Sequence, residues 1–438
     1  MKVLVMWPPN IPTYFNAGHH NTLWETSNYL RRLSCVSELR TVDAGVLNWT
    51  WAAVARELIR EPDVLAIHNE FDTIQGIKTL IAYCREISPG TRIITFGRAS
   101  SSIPGFFQRY GLDAIVASGD WEAGIAQFVE WLSGLRQRQA ITGLLLRTTT
   151  SEEGYINTGQ GVYLPAEEWA FPDPQEVPWH QYNRLYQDAT LEFSGLSGRR
   201  ELPITISRGC PMGCSYCLVP PAQGLKERRR SVASILAYAD RARQFYEFDY
   251  ISTYSPTFTL RRDWVLDFAK AVETHPAKYA WKTCTTLHHL DEALVDAMAR
   301  SRCLRISVGL ETLDPGAIAL LPKAKRTTEN HLREVSRWCR ERGVELNCFV
   351  MLGMPGQTQE GVAYTFKLVR EVGARLRPTA YTPYHELRAD MDEETFLSQC
   401  RQIVSSEVVE GLSRRDFYRL EFGDRETVLS ELVLAGTT

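Results

Sequence analysis

From residue 1 to about 135, short apolar runs alternate with amphipathic stretches, the pattern of a parallel sheet covered by helices. The runs predict strands at Lys2–Met6, Arg40–Asp43, Val64–His68, Arg92–Phe96 and Ala114–Ala117, with helices such as Thr73–Ile87 and Trp121–Leu135 between them. A doubly wound sheet of this kind keeps its ligand crevice at the carboxyl ends of its strands. From about 140 to 200 the periodicity lapses: Thr148-Thr149-Thr150-Ser151, Pro165, Pro172, Pro174 and Pro178 read as a linker with one small hairpin. Alternation resumes near 202, with strands predicted at Pro203–Ser207, Tyr250–Thr253, Ala280–Cys284, Leu304–Gly309, Glu345–Met351 and Arg377–Tyr381, and helices at Asp291–Ser301, Thr328–Arg342 and Gln359–Val372. Six βα units in series predict a partial (β/α)6 barrel, with its chemistry at the carboxyl ends of the strands. The last 45 residues are amphipathic and expected to be helical, closing the open side of the barrel. The α/β chain thus divides at 1–138, 139–200, 201–390 and 391–438.

A length of 438 residues, 44% of them apolar, suffices for two cores. The net charge of −3 gives no global pull toward nucleic acid or an anionic membrane. No apolar run approaches the roughly 20 residues of a spanning helix, and the N-terminal run meets Trp7-Pro8-Pro9 too early for a signal peptide. A cytoplasmic protein with no membrane or nucleic-acid partner is expected. Ten cysteines over this length do not form a disulfide framework. Cys284, Cys303, Cys339, Cys348 and Cys400 are dispersed and read as core residues, and Cys35 and Cys84 lie far apart.

The one tight cluster is Arg208-Gly209-Cys210-Pro211-Met212-Gly213-Cys214-Ser215-Tyr216-Cys217, directly after a predicted strand. Three thiolates on a loop rich in Gly and Pro can converge on one face of an iron–sulfur cluster. Zinc takes four N or S ligands, and no nearby His or Cys pair supplies the fourth. The spacing of three and then two residues, with an aromatic before the last cysteine, resembles the radical S-adenosylmethionine (SAM) superfamily. The resemblance implies that Cys210, Cys214 and Cys217 hold a [4Fe-4S] cluster whose fourth iron chelates SAM. An external donor such as flavodoxin or ferredoxin would reduce it, and a 5′-deoxyadenosyl radical would form. It also implies SAM contacts at Tyr216, at Ser255 after the second barrel strand, at Glu311 in Gly309-Leu310-Glu311, and at Phe349 and Val350 on the fifth strand. Lys226-Glu227-Arg228-Arg229-Arg230, after the cysteine loop, reads as a solvated helix entry.

The Rossmann-like half, the proline-rich stretch and the barrel together resemble the radical SAM branch with an N-terminal cobalamin-binding-type domain. Gly97 and Gly119 stand where that branch lets a cobalamin tail approach bare backbone, but Arg98 intrudes and no Asp-x-His-x-x-Gly motif is present. His19, His20 and His68 read as polar surface or strand-end residues rather than cobalt ligands. Glu311, His288, His385 and Glu386 lie at predicted strand ends, where a substrate would meet the radical. Expected is hydrogen abstraction from a polar small molecule. The weaker resemblance to aminoglycoside diol dehydratases implies radical dehydration of an amino sugar in antibiotic biosynthesis. The alternative is a cobalamin-dependent radical SAM C-methyltransferase.

Overall fold

The computed structural model describes residues 1–9, 20–71, 73–148, 154–188, 195–400, 409, 411–423, 425–428 and 430. His19 lies outside these residues, as do parts of the linker and of the C-terminal stretch.

The first sheet contains β1 (Lys2–Trp7), β2 (Glu38–Asp43), β3 (Val64–Asn69), β4 (Arg92–Gly97), β5 (Ala114–Val116), β6 (Leu144–Arg147) and β7 (Tyr155–Asn157). Its order is β2-β1-β3-β4-β5-β6-β7. The first five strands are parallel and the β6–β7 hairpin continues the sheet antiparallel from β5. Strand order reverses between β1 and β3, so a crevice opens at their carboxyl ends. The central strands are apolar because helices cover both faces: every residue of β3 is buried. The expected hairpin is therefore part of the first sheet. Beyond it Trp169, Trp179 and Tyr182 are buried, and a helix runs over Trp179–Asp188.

The second sheet is formed by β8 (Glu201–Thr205), β11 (Tyr250–Tyr254), β12 (Trp281–Thr286), β13 (Cys303–Glu311), β14 (Glu345–Leu352) and β15 (Arg375–Ala380), all parallel and in sequence order. This is the partial barrel the pattern predicts. Its helices begin where polar side chains cap them, as Asp291 accepts from the Leu294 N–H and Thr358 from that of Gly361. Between β8 and β11 a short antiparallel ribbon, β9 (Ser207–Arg208) with β10 (Arg228–Arg229), ties off the cysteine loop at its base. The described C-terminal helices do different things. Helix Glu393–Cys400 leaves the barrel and stacks Phe396 on Phe106 of the first unit at 3.6 Å, whereas helix Arg414–Phe422 packs on β15.

The two sheets share one continuous core, running from Val3, Val5 and Trp7 through Tyr182 and Leu202 to Val350 and Phe366. Among the described residues, no helix is long and apolar enough to cross a membrane.

Candidate active site

Gly209 begins the cysteine loop at φ +86°, and a Cβ there would lie 2.3 Å from the Lys226 carbonyl. Only glycine lets the loop fold back on the ribbon. Cys210 and Cys214 are buried and Cys217 half-buried. Cys210 Sγ lies 3.7 Å from Thr257 Oγ1, and Cys217 Sγ accepts from the Val219 N–H at 3.4 Å. Burial pushes the Cys214 and Cys217 thiols up; Cys210 acts on both in the same direction, and Cys214 also acts on Cys217. Three thiols on one small loop, with a cation nearby, fit a cubane cluster, which presents a separate iron to each ligand.

That cation is Lys325, which no motif in the sequence marks. Its Nζ donates to Glu311 Oε1 at 2.7 Å and stands 5.8 Å from the Tyr216 ring centre. Burial opposes the charge on Lys325, but the Glu311 carboxylate and the Cys214 and Cys217 thiols outweigh it and raise its pKa. Glu311 has φ +64° and sits at a register shift between β13 and β14. Strain of this kind persists only where the surroundings enforce it. Gly309 makes room for the pair, since a Cβ there would lie 2.4 Å from Glu311 Oε1 and 3.0 Å from Lys325 Nζ. The Gly-x-Glu spacing was a signal for this arrangement, but the lysine partner, in the Lys323–Lys325 turn, carried none.

The structure brings Tyr216, Glu311 and the cysteines together. Phe349 is half-buried, with the Arg377 guanidinium 5.7 Å from its ring centre. Val350, one position on, belongs to the main core, because successive strand residues point to opposite faces. Only its backbone is available to a ligand. Ser255 lies 2.6 Å from Ser207 and lines a cavity between the two sheets, together with Val219, whose N–H donates to Cys217. His288 is exposed beside His289, whose Nδ1 lies 3.2 Å from Thr259 Oγ1. His385 and Glu386 are exposed on a turn whose neighbour Tyr384 packs on Phe71, and neither has a described contact with Glu311 or the cysteine loop. Cys303, Cys339 and Cys348 are buried as expected. Cys284 is instead exposed, on the same strand face as Lys282. The Cys400 side chain is outside the described residues.

In the basic run after the loop Lys226 is exposed, but the three arginines are not solvated. Arg228 forks onto Asp120 at 2.5 and 2.9 Å, Arg229 pairs with Glu227 against Trp264, and Arg230 lies 3.7 Å from the Phe171 ring centre while donating to the Trp169 and Ala170 carbonyls. Planar guanidiniums are buried this way when carboxylates, carbonyls and aromatic faces receive them. Arg208 joins them, donating to Glu122 at 2.6 Å and to Glu25 at 3.0 Å.

The cavity between the sheets encloses about 390 Å³ at the β1/β3 crevice. Its first-sheet wall includes Trp7, His20, Asn21, Glu25, His68 and Trp121, and its barrel wall Thr205, Ser207, Tyr254 and Ser255. Arg98 and Glu70 pair across this lining at 2.6 Å. His20 stacks on Trp7 at 3.6 Å and contacts Asp43 at 2.5 Å. Gly97 and Gly119 serve the chain's own packing: a Cβ would strike the Asn69 carbonyl from Gly97, and the Val162 backbone from Gly119.

Residues 204–369 match the family model of the radical SAM superfamily, and this segment is a radical SAM domain. Among curated proteins, the chain is 25% identical over 203 residues to the cytidylyl-2-hydroxyethylphosphonate methyltransferase of Streptomyces wedmorensis, covering 44% of this chain and 38% of that one. It is 22% identical over 201 residues to the bacteriochlorophyllide d C-12(1)-methyltransferase of Chlorobaculum tepidum, covering 43% of each. The chain thus spans under half the length of these relatives. Its fold is similar to that of the radical SAM methyltransferase TsrM from Kitasatospora setae, solved with cobalamin and a [4Fe-4S] cluster (TM-score 0.67, 17% identity, 87% of this chain and 74% of that one). It is equally similar to OxsB, a cobalamin-dependent SAM radical enzyme solved with aqua-cobalamin (TM-score 0.67, 15% identity, 92% and 55%). The two-sheet arrangement is thus similar to that of TsrM and OxsB.

Proposed function

We propose that this protein is a radical SAM methyltransferase acting on a polar small molecule, with a corrinoid in the cavity between its sheets. The observation that carries the reading is that cavity: it lies at the β1/β3 crevice and faces the ends of β8 and β11. The named activities of the relatives support methyl transfer over the dehydration expected from the sequence. Cys210, Cys214 and Cys217 would hold the cluster. The His20 ring stacked on Trp7, the Trp121 ring, the imidazole of His68 and the side-chain oxygens of Asn21 and Glu25 would meet the face and the amide edge of a corrinoid. When bound, the cluster supplies the electron that cleaves SAM, and the corrinoid supplies a methyl carrier. The chain's own work is to bind and orient. Lys325 holds Glu311 in its strained position, where the carboxylate can accept N–H or O–H donors of SAM. Tyr216 packs beside Met354 and Leu321, which keeps water from the loop.

One observation favours the second reading, hydrogen abstraction without a corrinoid: Arg98 pairs with Glu70 in the lining of that cavity. Anaerobic reconstitution with iron, sulfide and hydroxocobalamin, followed by desalting and a visible spectrum, separates the two. Retained cobalamin absorption supports methyl transfer. Its absence from a preparation that still makes 5′-deoxyadenosine overturns that reading and leaves hydrogen abstraction without a corrinoid.

A further inference from the structure

We infer that Asn21, Glu25 and His68 form one recognition face in the cavity between the sheets, built for a ligand rich in N–H and O–H donors. The inference rests on the cavity being a binding site, as proposed above, but not on methyl transfer.

Asn21 and Glu25 are four residues apart on helix Asn21–Leu30, so they share a face. The Asn21 Nδ2 donates to the Pro203 carbonyl at 3.1 Å, which fixes the amide and leaves Oδ1 without a partner. Glu25 Oε2 accepts from Arg208, and Oε1 has no partner. His68, at the end of β3, has no hydrogen-bond partner on either ring nitrogen. Burial pushes its pKa well down, and the charges of His20 and Arg98 push the same way, so the ring is neutral and one nitrogen is an acceptor. All three side chains line the cavity and are at least nine-tenths buried, at 7%, 1% and 3% exposure.

Native chains leave few buried polar atoms unpaired, because each costs stability. Three such residues from two elements around one cavity mark a site completed by a ligand. The lining carries the carboxylates of Glu25, Glu70 and Asp120 against the guanidiniums of Arg98 and Arg208, which disfavours an anion. A neutral or cationic donor-rich molecule fits, and a cavity of this size lies in the roughly 300–1,000 Å³ range of small-molecule sites. Two sources share that chemistry: the amide edge of a corrinoid and a polyhydroxylated amine.

Equilibrium dialysis of hydroxocobalamin and of 2-deoxystreptamine against the full, reconstituted chain tests this. His68→Phe keeps a ring among its aromatic neighbours and removes both nitrogens, and Glu25→Gln replaces an acceptor oxygen by a donor. At least one probe should bind, and each variant should weaken it about fivefold or more. His68→Phe should keep its iron content and, at neutral pH, melt no lower than the wild type. Binding of the amine alone upholds the face and overturns a corrinoid in this cavity, and binding of hydroxocobalamin upholds the face and supports the corrinoid. Equal affinity in wild type and variants, or no binding of either probe at millimolar concentration, overturns the inference.

Discussion

Arg208 and Glu122 meet at 2.6 Å, joining the residue two places before Cys210 to the helix that follows β5 of the other sheet. Glu25 and Asp120 complete the surround of the guanidinium. The first unit thus grips the base of the cysteine loop directly. Burial raises the pKa of the Glu122 carboxyl even against the attraction of Arg208.

Arg208→Met would leave these carboxylates buried without their cation, and such a deletion costs about 3–5 kcal/mol. Urea unfolding of purified protein should show a loss of that size. Arg208→Lys should lose less but still fall short of wild type, because an ammonium cannot fork between Glu122 and Glu25.

Cys210, Cys214 and Cys217 should fail as a set. Alanine at any one should strip or cripple the cluster after anaerobic reconstitution, as iron analysis would show. A triple alanine variant that still bound about four irons and cleaved SAM would exclude these residues as ligands.

Lys325→Met removes the cation that faces Glu311, Tyr216 and the thiols while leaving every cysteine in place. It should keep near-wild-type iron yet form 5′-deoxyadenosine at least about tenfold more slowly with dithionite, since one buried charged contact is commonly that large. Glu311→Gln should act in the same direction.

His68 gives the fold an acid-sensitive limb. In the unfolded chain its imidazole titrates near the ordinary 6.5, whereas in the fold burial holds it neutral far below that. Its contribution to stability is therefore fully present above 6.5 and falls as acid protonates the unfolded state preferentially. The slope approaches about 1.4 kcal/mol per pH unit for one proton. His20, Glu70 and Arg98 face the same ring, so the difference between wild type and His68→Phe is the quantity to measure. His68→Phe should flatten the slope between about pH 6.5 and 5.

The strands were legible because buried parallel strands are apolar on both faces. Val64–Asn69 and Glu345–Leu352 each lie within two residues of their predicted limits. Glu311 was legible from Gly-x-Glu spacing. Lys325 was not, because its partner lies fourteen residues away in the chain. The arginines at 228–230 misled because a charge run looks solvated until Asp120, Trp169, Phe171 and Trp264, all distant in sequence, come to meet it. His68 looked like an ordinary strand end, and only tertiary packing shows that its nitrogens have no partner.

The core that runs unbroken from Val3 to Phe366 bears on how the chain comes apart. Halves separated by a thin interface would melt in two steps, each at its own temperature. Here neither half can leave without stripping apolar cover from the other, so heat should dissolve both in one event. A break in the first sheet would then be felt at the cysteines, although no residue near them had changed.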